Sequence, residues 1–412
     1  MTHKLPHTPQ IKPSQGIATI MLVGLALLSM GGPLGTDMYL PSLPIITEDL
    51  HTVDSSTQLT LSTYMIGMGL GQLIFGPISD MLGRKKLLVV GMALGILSSA
   101  ICAMTPTINV LIVARLAQGT AGGMGVVLAR AIIADRVKGA AAAKAFSVMM
   151  LIMGVAPVVA PLIGGVIEEV ANWRTVFWVL VVIAVVQTIV AVSMPESLPK
   201  EHRQSEGPMR TYRNMVSLLK MPSFLGYTLA YALGFGTMFA FISGSSVMMQ
   251  EQLGLSPLHY SWAFALNAAF VIVANTLNVR VVSRFGSHRL QGIGMGMILG
   301  GSVALLLVGL FVSKEWGGIL PLVLLCTITS TAGCGLNLAN STALAQRLAE
   351  GQAGAGSAAL GAMQFVVAGI VSPLAAFGDN HVLTLGILMS TCAVIATGGT
   401  LMAHKAERSE TR

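Results

Sequence analysis

Two charged residues lie in parts of the chain that are otherwise apolar. Asp37 is in the segment GGPLGTDMYLP, between Pro33 and Pro41, and Arg115 is in the segment LIVARLAQGTAGG. A carboxylate can take up and release a proton, whereas arginine stays charged at any relevant pH. In lipid, a charged side chain at the bilayer centre costs roughly 3 kcal/mol, so such residues usually face a cavity and have a function. We therefore expect Asp37 and Arg115 to form a proton-coupling site.

Each of the two charges has a second interpretation. Asp37 comes late in its apolar run and could lie at the level of the outer headgroups, while Arg115 could be structural and only hold helices together. Gln118 follows Arg115 at i+3 on the same helical face and is a candidate polar partner. The remaining candidates for a substrate cavity are polar or aromatic residues within apolar runs: Tyr39, Tyr64, Gln118, Phe235, Phe239, Asn267 and Asn337.

The composition excludes a water-soluble protein. The chain has 412 residues, of which 54% are hydrophobic and 10% are charged, whereas a soluble domain has about 25% charged residues. About 20 apolar residues span a bilayer, and only a helix satisfies its own backbone there. A twelfth apolar stretch, about 108–129, contains one charge, Arg115, and is added to eleven runs that contain none. The eleven charge-free runs are 13–36, 55–79, 87–114, 145–167, 175–195, 221–250, 252–279, 290–313, 316–346, 351–378 and 380–404. The sequence therefore predicts an all-α membrane protein with twelve transmembrane helices.

The basic residues predict the orientation in the membrane. If the N-terminus is inside, the inside segments contain all but three of the 24 lysine and arginine residues, and the exceptions are Arg115, Arg174 and Lys314. Positive residues accumulate on the cytoplasmic side of membrane proteins. We therefore expect a multi-pass protein whose N- and C-termini are both cytoplasmic. No basic stretch interleaved with aromatic residues indicates nucleic-acid binding.

A polar stretch divides the chain into two halves. We predict an N-terminal six-helix bundle over residues 1–195, a central cytoplasmic loop over 196–221, and a C-terminal six-helix bundle over 222–412. A weak repeat supports this division, because GPISDMLGRKK (76–86) and RVVSRFGSHR (280–289) align Gly83 with Gly286. Two six-helix repeats are typical of secondary transporters, which bind their substrates between the repeats.

The loop at 76–86 combines glycines with charges. Gly76 and Gly83 permit tight turns, and Asp80 precedes the basic residue Arg84. One interpretation is an anchor that only sets the orientation. The other is a cytoplasmic latch, in which Asp80 pairs with a helix end or a basic residue in one conformation and so biases a two-state equilibrium. The sequence leaves both interpretations open.

The predicted fifth helix contains two prolines and three glycines in the segment GVAPVVAPLIGG (154–165). Proline bends a helix and small residues allow close packing. Such a helix could seal or hinge a cavity, or it could simply pack closely against its neighbours. The residues concerned are Gly154, Pro157, Pro161, Gly164 and Gly165.

Enzymatic motifs are missing from the sequence. It contains no HExxH, GxSxG or P-loop pattern, and its four cysteines match no metal or redox spacing. Two isolated charges do not make a catalytic cluster. We therefore expect neither an enzyme nor a bound metal or cofactor.

Several of these segments resemble motifs of the major facilitator superfamily. GPISDMLGRKK resembles the signature loop after the second helix, with Met81 in place of the usual arginine. LIVARLAQG resembles the fourth-helix motif, whose arginine matches Arg115, and GVAPVVAPLIGG is similar to the antiporter motif, with Ala160 in place of a glycine. TDMYLPSLP and LTLSTYMIGMGLGQLIFGP most resemble the bicyclomycin- and chloramphenicol-resistance branch of the drug:proton antiporters.

The resemblance implies a twelve-helix fold and export of small amphipathic antibiotics across the bacterial inner membrane. It also implies that Asp37 matches the acidic first-helix position used for coupling. The partners would be a drug, a proton and the lipid bilayer, with the proton gradient in place of any cofactor, and we expect a monomer. The alternative is a facilitator or importer of a small metabolite on the same fold.

Overall fold

The computed structural model describes residues 19–137, 139–203, 209–313, 316–350 and 352–410, and within these ranges the regular structure is entirely helical. Two helices are short, α2 (Leu43–Asp49) and α8 (Met209–Leu219). The twelve long helices are α1 (Thr19–Asp37), α3 (Asp54–Leu82), α4 (Arg84–Met104), α5 (Ile108–Arg136), α6 (Gly139–Val170), α7 (Trp173–Ser193), α9 (Pro222–Ser246), α10 (Pro257–Phe285), α11 (Ser287–Phe311), α12 (Ile319–Leu348), α13 (Ala353–Leu374) and α14 (His381–Glu410).

The long helices can cross a membrane. Within the described residues, eleven helical stretches are long and apolar enough to do so, and α6, with 32 residues, is the twelfth long helix. Val113, Val170 and Phe311 are mostly exposed on outer faces of the bundle, as lipid contact allows. The prediction of an all-α membrane protein with twelve transmembrane helices is confirmed.

The first membrane span is longer than its charge-free run. It extends over Met21–Asp49, because α1 is followed by a 3-10 turn (Leu40–Ser42) and then by α2. Proline has no amide hydrogen, so Pro41 cannot donate to the carbonyl of Asp37 four residues earlier, and α1 ends there. Asp37 therefore lies near the middle of this helical stretch and at a break in it.

The helices form two groups that meet around a central space. Helices α1 and α3–α7 pack mainly against one another, as do α9–α14, while α3 packs against α13 and α6 against α10 across the boundary. We call the end of the bundle where α3 meets α4 the linker end, and the opposite end the α2 end. At the α2 end, Gln58 Nε2 donates to the carbonyl oxygen of Ser243 at 2.7 Å, and Gln250 Nε2 donates to that of Pro41 at 2.9 Å. These bonds join the two groups at that end.

The polar stretch at 196–221 contains α8, which the sequence analysis did not predict. This helix packs against α13, and Tyr212 Oη donates to the carbonyl oxygen of Leu73 in α3 at 3.1 Å. Its apolar residues Leu218 and Leu219 pack into a cluster with Phe224 and Tyr227. The stretch therefore contacts both helix groups at the linker end.

Candidate functional site

A cavity of about 470 Å³ lies between the two helix groups. Its wall comes from α1, α3, α5 and α6 on one side and from α9, α12 and α13 on the other, and most of the lining is apolar, including Met65, Met68, Phe235, Phe239 and Phe365. A second space, lined by Gly76, Asp80 and Tyr212, shares Gln72, Arg130, Ser357 and Gly361 with the cavity. The cavity therefore continues towards the linker end, whereas hydrogen bonds close the α2 end.

Asp37 lines this cavity. Its side chain is 5% exposed, and it also borders a smaller pocket between α6 and α10 that contains Asn267. Within the part of the chain that the structure describes, the carboxylate forms no ion pair and accepts no hydrogen bond. An unpaired carboxylate at a helix break within the span fits the cavity interpretation of Asp37 better than the headgroup interpretation.

Arg115 lies behind α1 rather than in the cavity. Nη1 donates to the carbonyl oxygen of Gly35 at 2.8 Å and to Gln118 Oε1 at 2.5 Å, and the guanidinium lies 4.3 Å from the ring centre of Tyr39 and 4.1 Å from that of Tyr64. The two rings stabilise the cation where no carboxylate does. Arg115 thus holds the backbone of α1 two residues before Asp37, without contacting the carboxylate itself.

Three predicted cavity residues belong to this arginine cluster instead. Tyr39 Oη shares a hydrogen bond of 2.7 Å with Thr60, Tyr64 Oη donates to the Gly32 carbonyl oxygen at 2.9 Å, and Gln118 Nε2 donates to Ser99 at 2.8 Å. None of the three lines the central cavity. In this structure the rotation of each helix directs these side chains into the N-terminal helix group, and their role as substrate-cavity residues stays a prediction.

The other predicted cavity residues fall in three places. Phe235 and Phe239 line the cavity, with stacked rings 5.9 Å apart. Asn267 lines the smaller pocket beside Asp37. Asn337 is buried and donates to the carbonyl oxygen of Ala230 at 2.8 Å, so it links α12 to α9 and does not reach the cavity.

Helix α6 packs closely against both helix groups. Pro157 lines the cavity, and Pro161 is buried. A Cβ atom at Gly164 would collide with the carbonyl oxygen of Met38, and one at Gly165 would collide with Ser261 of α10. The environment of Gly154 lies outside the described residues. The small residues of α6 therefore allow it to contact the α1 break and the other helix group.

The predicted latch residues form a network at the linker end. Asp80 and Arg84 form an ion pair at 2.5 Å, and Arg84 Nε also lies 3.2 Å from Asp135 Oδ2. Gly83 adopts φ +98° at the junction of α3 and α4, which allows the Arg84 amide to donate to Glu196 at 2.9 Å. Partial burial opposes ionisation of Glu196, but four backbone amides hold the pKa of its carboxyl below its usual range. Asp80, Arg84 and Asp135 belong to the N-terminal helix group, and Glu196 follows the last helix of that group, α7.

Arg130, the second charged side chain in the cavity wall, was not among the predicted site residues. The predicted span ended at residue 129, so Arg130 was expected in an inside segment, but α5 continues to Arg136. Gln72, Gln346 and Gln364 line the same part of the cavity. The signal available in the sequence was the apolar run AIIA (131–134) between Arg130 and the next charge, Asp135. No group of three His, Cys, Asp or Glu side chains within the described ranges could hold a metal ion.

Comparisons with known proteins agree with this architecture. A family model described as Major Facilitator Superfamily matches residues 25–373. The chain is 34% identical to the uncharacterized MFS-type transporter YdgK of Bacillus subtilis, over 95% of this chain and 96% of that one. It is 28% identical to the bicyclomycin resistance protein homolog of Haemophilus influenzae, over 92% and 94% of the two chains.

A solved structure shows the same fold. The crystal structure of a bacterial homolog to the human lysosomal transporter Spinster, in an inward-facing and occupied conformation, superposes with a TM-score of 0.73 over 95% of this chain and 97% of that one, at 14% identity. At that identity the similarity concerns the fold alone. The family match and the relatives confirm the resemblance noted in the sequence. The chain therefore belongs to the Major Facilitator Superfamily, and it is a membrane transporter rather than an enzyme.

Proposed function

We propose that the protein exports small amphipathic antibiotics from the bacterial cytoplasm across the inner membrane in exchange for protons. The observation that carries this proposal is the unpaired carboxylate of Asp37 in the wall of a cavity between the two helix groups. The name of the relative from Haemophilus influenzae supports antibiotics as the substrates. The proton gradient is the energy source, without a cofactor, and a monomer is the functional unit because one chain forms the whole cavity.

In the proposed orientation the linker end faces the cytoplasm, and both termini lie on that side. Arg84, Arg136, Arg284 and Arg347 lie at or near the linker ends of their helices. Positive side chains are retained on the cytoplasmic side during membrane insertion. The cavity then opens towards the cytoplasm, the side from which an exporter takes up its substrate.

The coupling follows from the positions of Asp37 and Arg115. Deprotonated Asp37 attracts a polar or cationic group of the drug, while Arg115 holds the adjacent backbone of α1 through Gly35. A proton that enters from the outside neutralises Asp37 and weakens drug binding. The proton and the drug thus compete for one carboxylate, and this competition is sufficient to couple their binding free energies. The two helix groups alternate between openings at the two ends.

Substitution of Asp37 tests the coupling. We expect Asp37→Asn to abolish proton-driven uptake of the antibiotic ciprofloxacin into everted membrane vesicles, because an amide cannot exchange a proton at neutral pH. Asp49→Asn is the matched control, since Asp49 lies in the same first span but pairs with Arg174 at the α2 end, at 2.6 Å. This control should transport within about twofold of the wild type. Robust uphill transport by Asp37→Asn would rule out Asp37 as the coupling site.

The alternative is a facilitator or importer of a small metabolite. Drug accumulation in intact cells, with and without a protonophore, distinguishes the two functions. An exporter keeps accumulation low until the protonophore collapses the gradient. If the protonophore leaves drug accumulation unchanged in expressing cells, the importer or facilitator becomes the better proposal.

A further inference from the structure

Arg130 is a cation without a partner in the cavity wall. Its side chain is half-buried and lines both the central cavity and the space that leads to the linker end. Within the described ranges it forms no ion pair and no hydrogen bond, and its Nε atom is shielded from solvent. Arg130 therefore faces the substrate path with its hydrogen-bonding capacity unused.

Three other arginines near the linker end have partners. Arg84 binds Asp80, and Arg347 binds Glu407 at 2.5 Å, while Arg136 donates to the carbonyl oxygens of Pro195 and Glu196. A shielded cation without a counter-charge is unfavourable, and a guanidinium pairs especially well with a carboxylate because its planar fork gives two parallel hydrogen bonds. The missing counter-charge at Arg130 can come from a ligand.

The surroundings of Arg130 are also polar. Gln346 Nε2 donates to Ser357 Oγ at 2.7 Å, but Gln346 Oε1 is buried without a partner. Tyr231 Oη donates to Gln364 Oε1 at 2.5 Å. One part of the cavity thus presents a cation and unfilled hydrogen-bonding positions. Asp37 supplies the opposite charge elsewhere in the same cavity, and the wall also contains stacked aromatic rings.

We propose that Arg130 binds an anionic group of the substrate and that the transported molecules are zwitterionic amphiphiles. The carboxylate binds Arg130, the aromatic body packs against Phe235 and Phe239, and the ammonium group binds Asp37. This inference rests on the proposed function, in which Asp37 exchanges substrate for a proton.

The requirement for a cationic group follows from the direction of coupling. A purely anionic molecule would bind more tightly when Asp37 is protonated, because the cavity then carries only the positive charge of Arg130. Proton entry would in that case retain the substrate, which is the opposite of exchange. An ammonium group at Asp37 restores competition with the proton, while Arg130 selects for the carboxylate.

A single fluorescent scaffold tests the inference. Ciprofloxacin carries an aromatic body, a carboxylate and a piperazine ammonium group, its methyl ester lacks the anion, and its N-acetyl derivative lacks the cation. We would measure binding of all three compounds to the purified full-length chain by fluorescence anisotropy, without a proton gradient. We expect the wild type to bind ciprofloxacin about tenfold more tightly than either derivative, as expected for the loss of one charge-assisted hydrogen bond.

The variants separate recognition from folding. Arg130→Gln should bind ciprofloxacin and its methyl ester with the same affinity. That affinity should equal the affinity of the wild type for the ester, so the binding of the ester shows that the variant is correctly folded. Arg130→Lys should retain part of the preference for the acid. Lys86→Gln removes the same charge from an exposed position at the linker end and should bind all three compounds as the wild type does.

Three results would overturn the inference. The first is that the wild type binds ciprofloxacin and its methyl ester with equal affinity. The second is that Arg130→Gln weakens the binding of both compounds by the same factor. The third is that Lys86→Gln loses the preference for the acid as Arg130→Gln does. A different result is expected if the proposed function is wrong but the inference about Arg130 is right. Proton-driven transport would then be absent, while the preference for the acid would still depend on Arg130. The equilibrium binding measurement and the transport measurement can therefore fail independently.

Discussion

At the scale of single residues, the contrast between Arg115 and Arg130 separates a structural cation from a ligand-binding one. Arg115 is fully buried, and its contacts are a backbone carbonyl, an amide oxygen and two aromatic rings. Every contact lies within the N-terminal helix group. Arg115 therefore acts on Asp37 through the position of α1 and through charge, whereas Arg130 is free to contact a ligand.

Substitution of Arg115 by lysine tests its structural role. Lysine keeps the charge, but its ammonium group lacks the flat guanidinium that stacks between the rings of Tyr39 and Tyr64 while donating to Gly35 and Gln118. We expect Arg115→Lys to lower the free energy of unfolding by about 2 kcal/mol, seen as a fall of the thermal midpoint in detergent. Arg347→Lys, at an exposed ion pair, should change it by less than about 1 kcal/mol. An unchanged midpoint for Arg115→Lys would contradict this assignment.

The sequence was sufficient to find Asp37 and Arg115, because each is a charge within an apolar run. It was insufficient for Tyr39, Tyr64 and Gln118, whose contacts depend on the rotation of three helices about their axes. Periodicity along one helix identifies a shared face but does not say which neighbour that face contacts. Arg130 was missed for another reason, since α5 extends almost two turns beyond the predicted end of its span.

At the scale of helices, the close approach of α6 to α1 connects a sequence motif to the site. The carbonyl oxygen that blocks a side chain at Gly164 belongs to Met38, the residue after Asp37. Any increase in size at Gly164 must therefore move the α1 break. The antiporter-like segment thus supports the backbone that carries the proposed proton site.

Gly164→Ala tests this connection. We expect the added methyl group to cost about 1–3 kcal/mol through overpacking and to slow drug efflux, because it displaces the backbone beside Asp37. Gly292→Ala is the matched control, since no atom lies within 4 Å of its added Cβ in α11. The control should leave efflux unchanged. Equal efflux rates and thermal midpoints in both variants would show that the packing of α6 on α1 is not critical.

Glycines mark two of the helix boundaries, although the charge-free runs stopped earlier, at residues 79 and 279. α3 ends just before Gly83, with φ +98°, and α10 ends just before Gly286, with φ +76°, the two glycines that the weak repeat aligns. Only glycine enters this conformation at little cost. The first span was predicted less well because Asp37 ended its charge-free run, although the helical stretch continues to Asp49.

At the scale of the whole molecule, hydrogen bonds across the α2 end hold the two helix groups together. Gln58 takes part in two of them, since its side chain donates to Ser243 of α9 and its carbonyl oxygen accepts from Ser372 of α13 at 3.1 Å. These bonds exist only while the two helix groups are in contact at this end. They therefore stabilise the conformation that opens at the linker end.

Gln58→Ala should shift this equilibrium. Loss of one buried hydrogen bond of about 1 kcal/mol changes the ratio of the two conformations by roughly fivefold. We expect a cysteine introduced at Thr36 in the cavity wall to react correspondingly faster with a membrane-impermeant maleimide added to intact cells. Cys102, Cys326, Cys334 and Cys392 are buried, so the background reaction should be slow.

The matched control for this shift is Gln291→Ala. Gln291 is also buried, but it donates to Ser341 and Thr400 within the C-terminal helix group. Its loss should leave the labelling rate unchanged. Labelling that is the same in Gln58→Ala as in the wild type would show that the bonds of Gln58 do not determine the opening.

The fold as a whole was predictable from the sequence because the bilayer allows few solutions. Charge-free runs of spanning length and the distribution of basic residues were enough to predict twelve helices. The division of the chain at 196–221 remains a prediction about domains, although α8 within it contacts both helix groups. The shape of the cavity could not be predicted, because it depends on how the two helix groups pack against each other.

The permanent charge of Arg130 has an electrical consequence. Counting Asp37 and Arg130, the empty cavity has no net charge when Asp37 is ionised and one positive charge when a proton is bound. Moving one elementary charge across the membrane changes its free energy by roughly 2.3 kcal/mol for each 100 mV of membrane voltage. An interior-negative voltage would then drive the proton-loaded cavity inward, while a cavity filled by a zwitterion would reorient almost independently of voltage. The resetting half of the cycle would thus draw on the electrical part of the gradient.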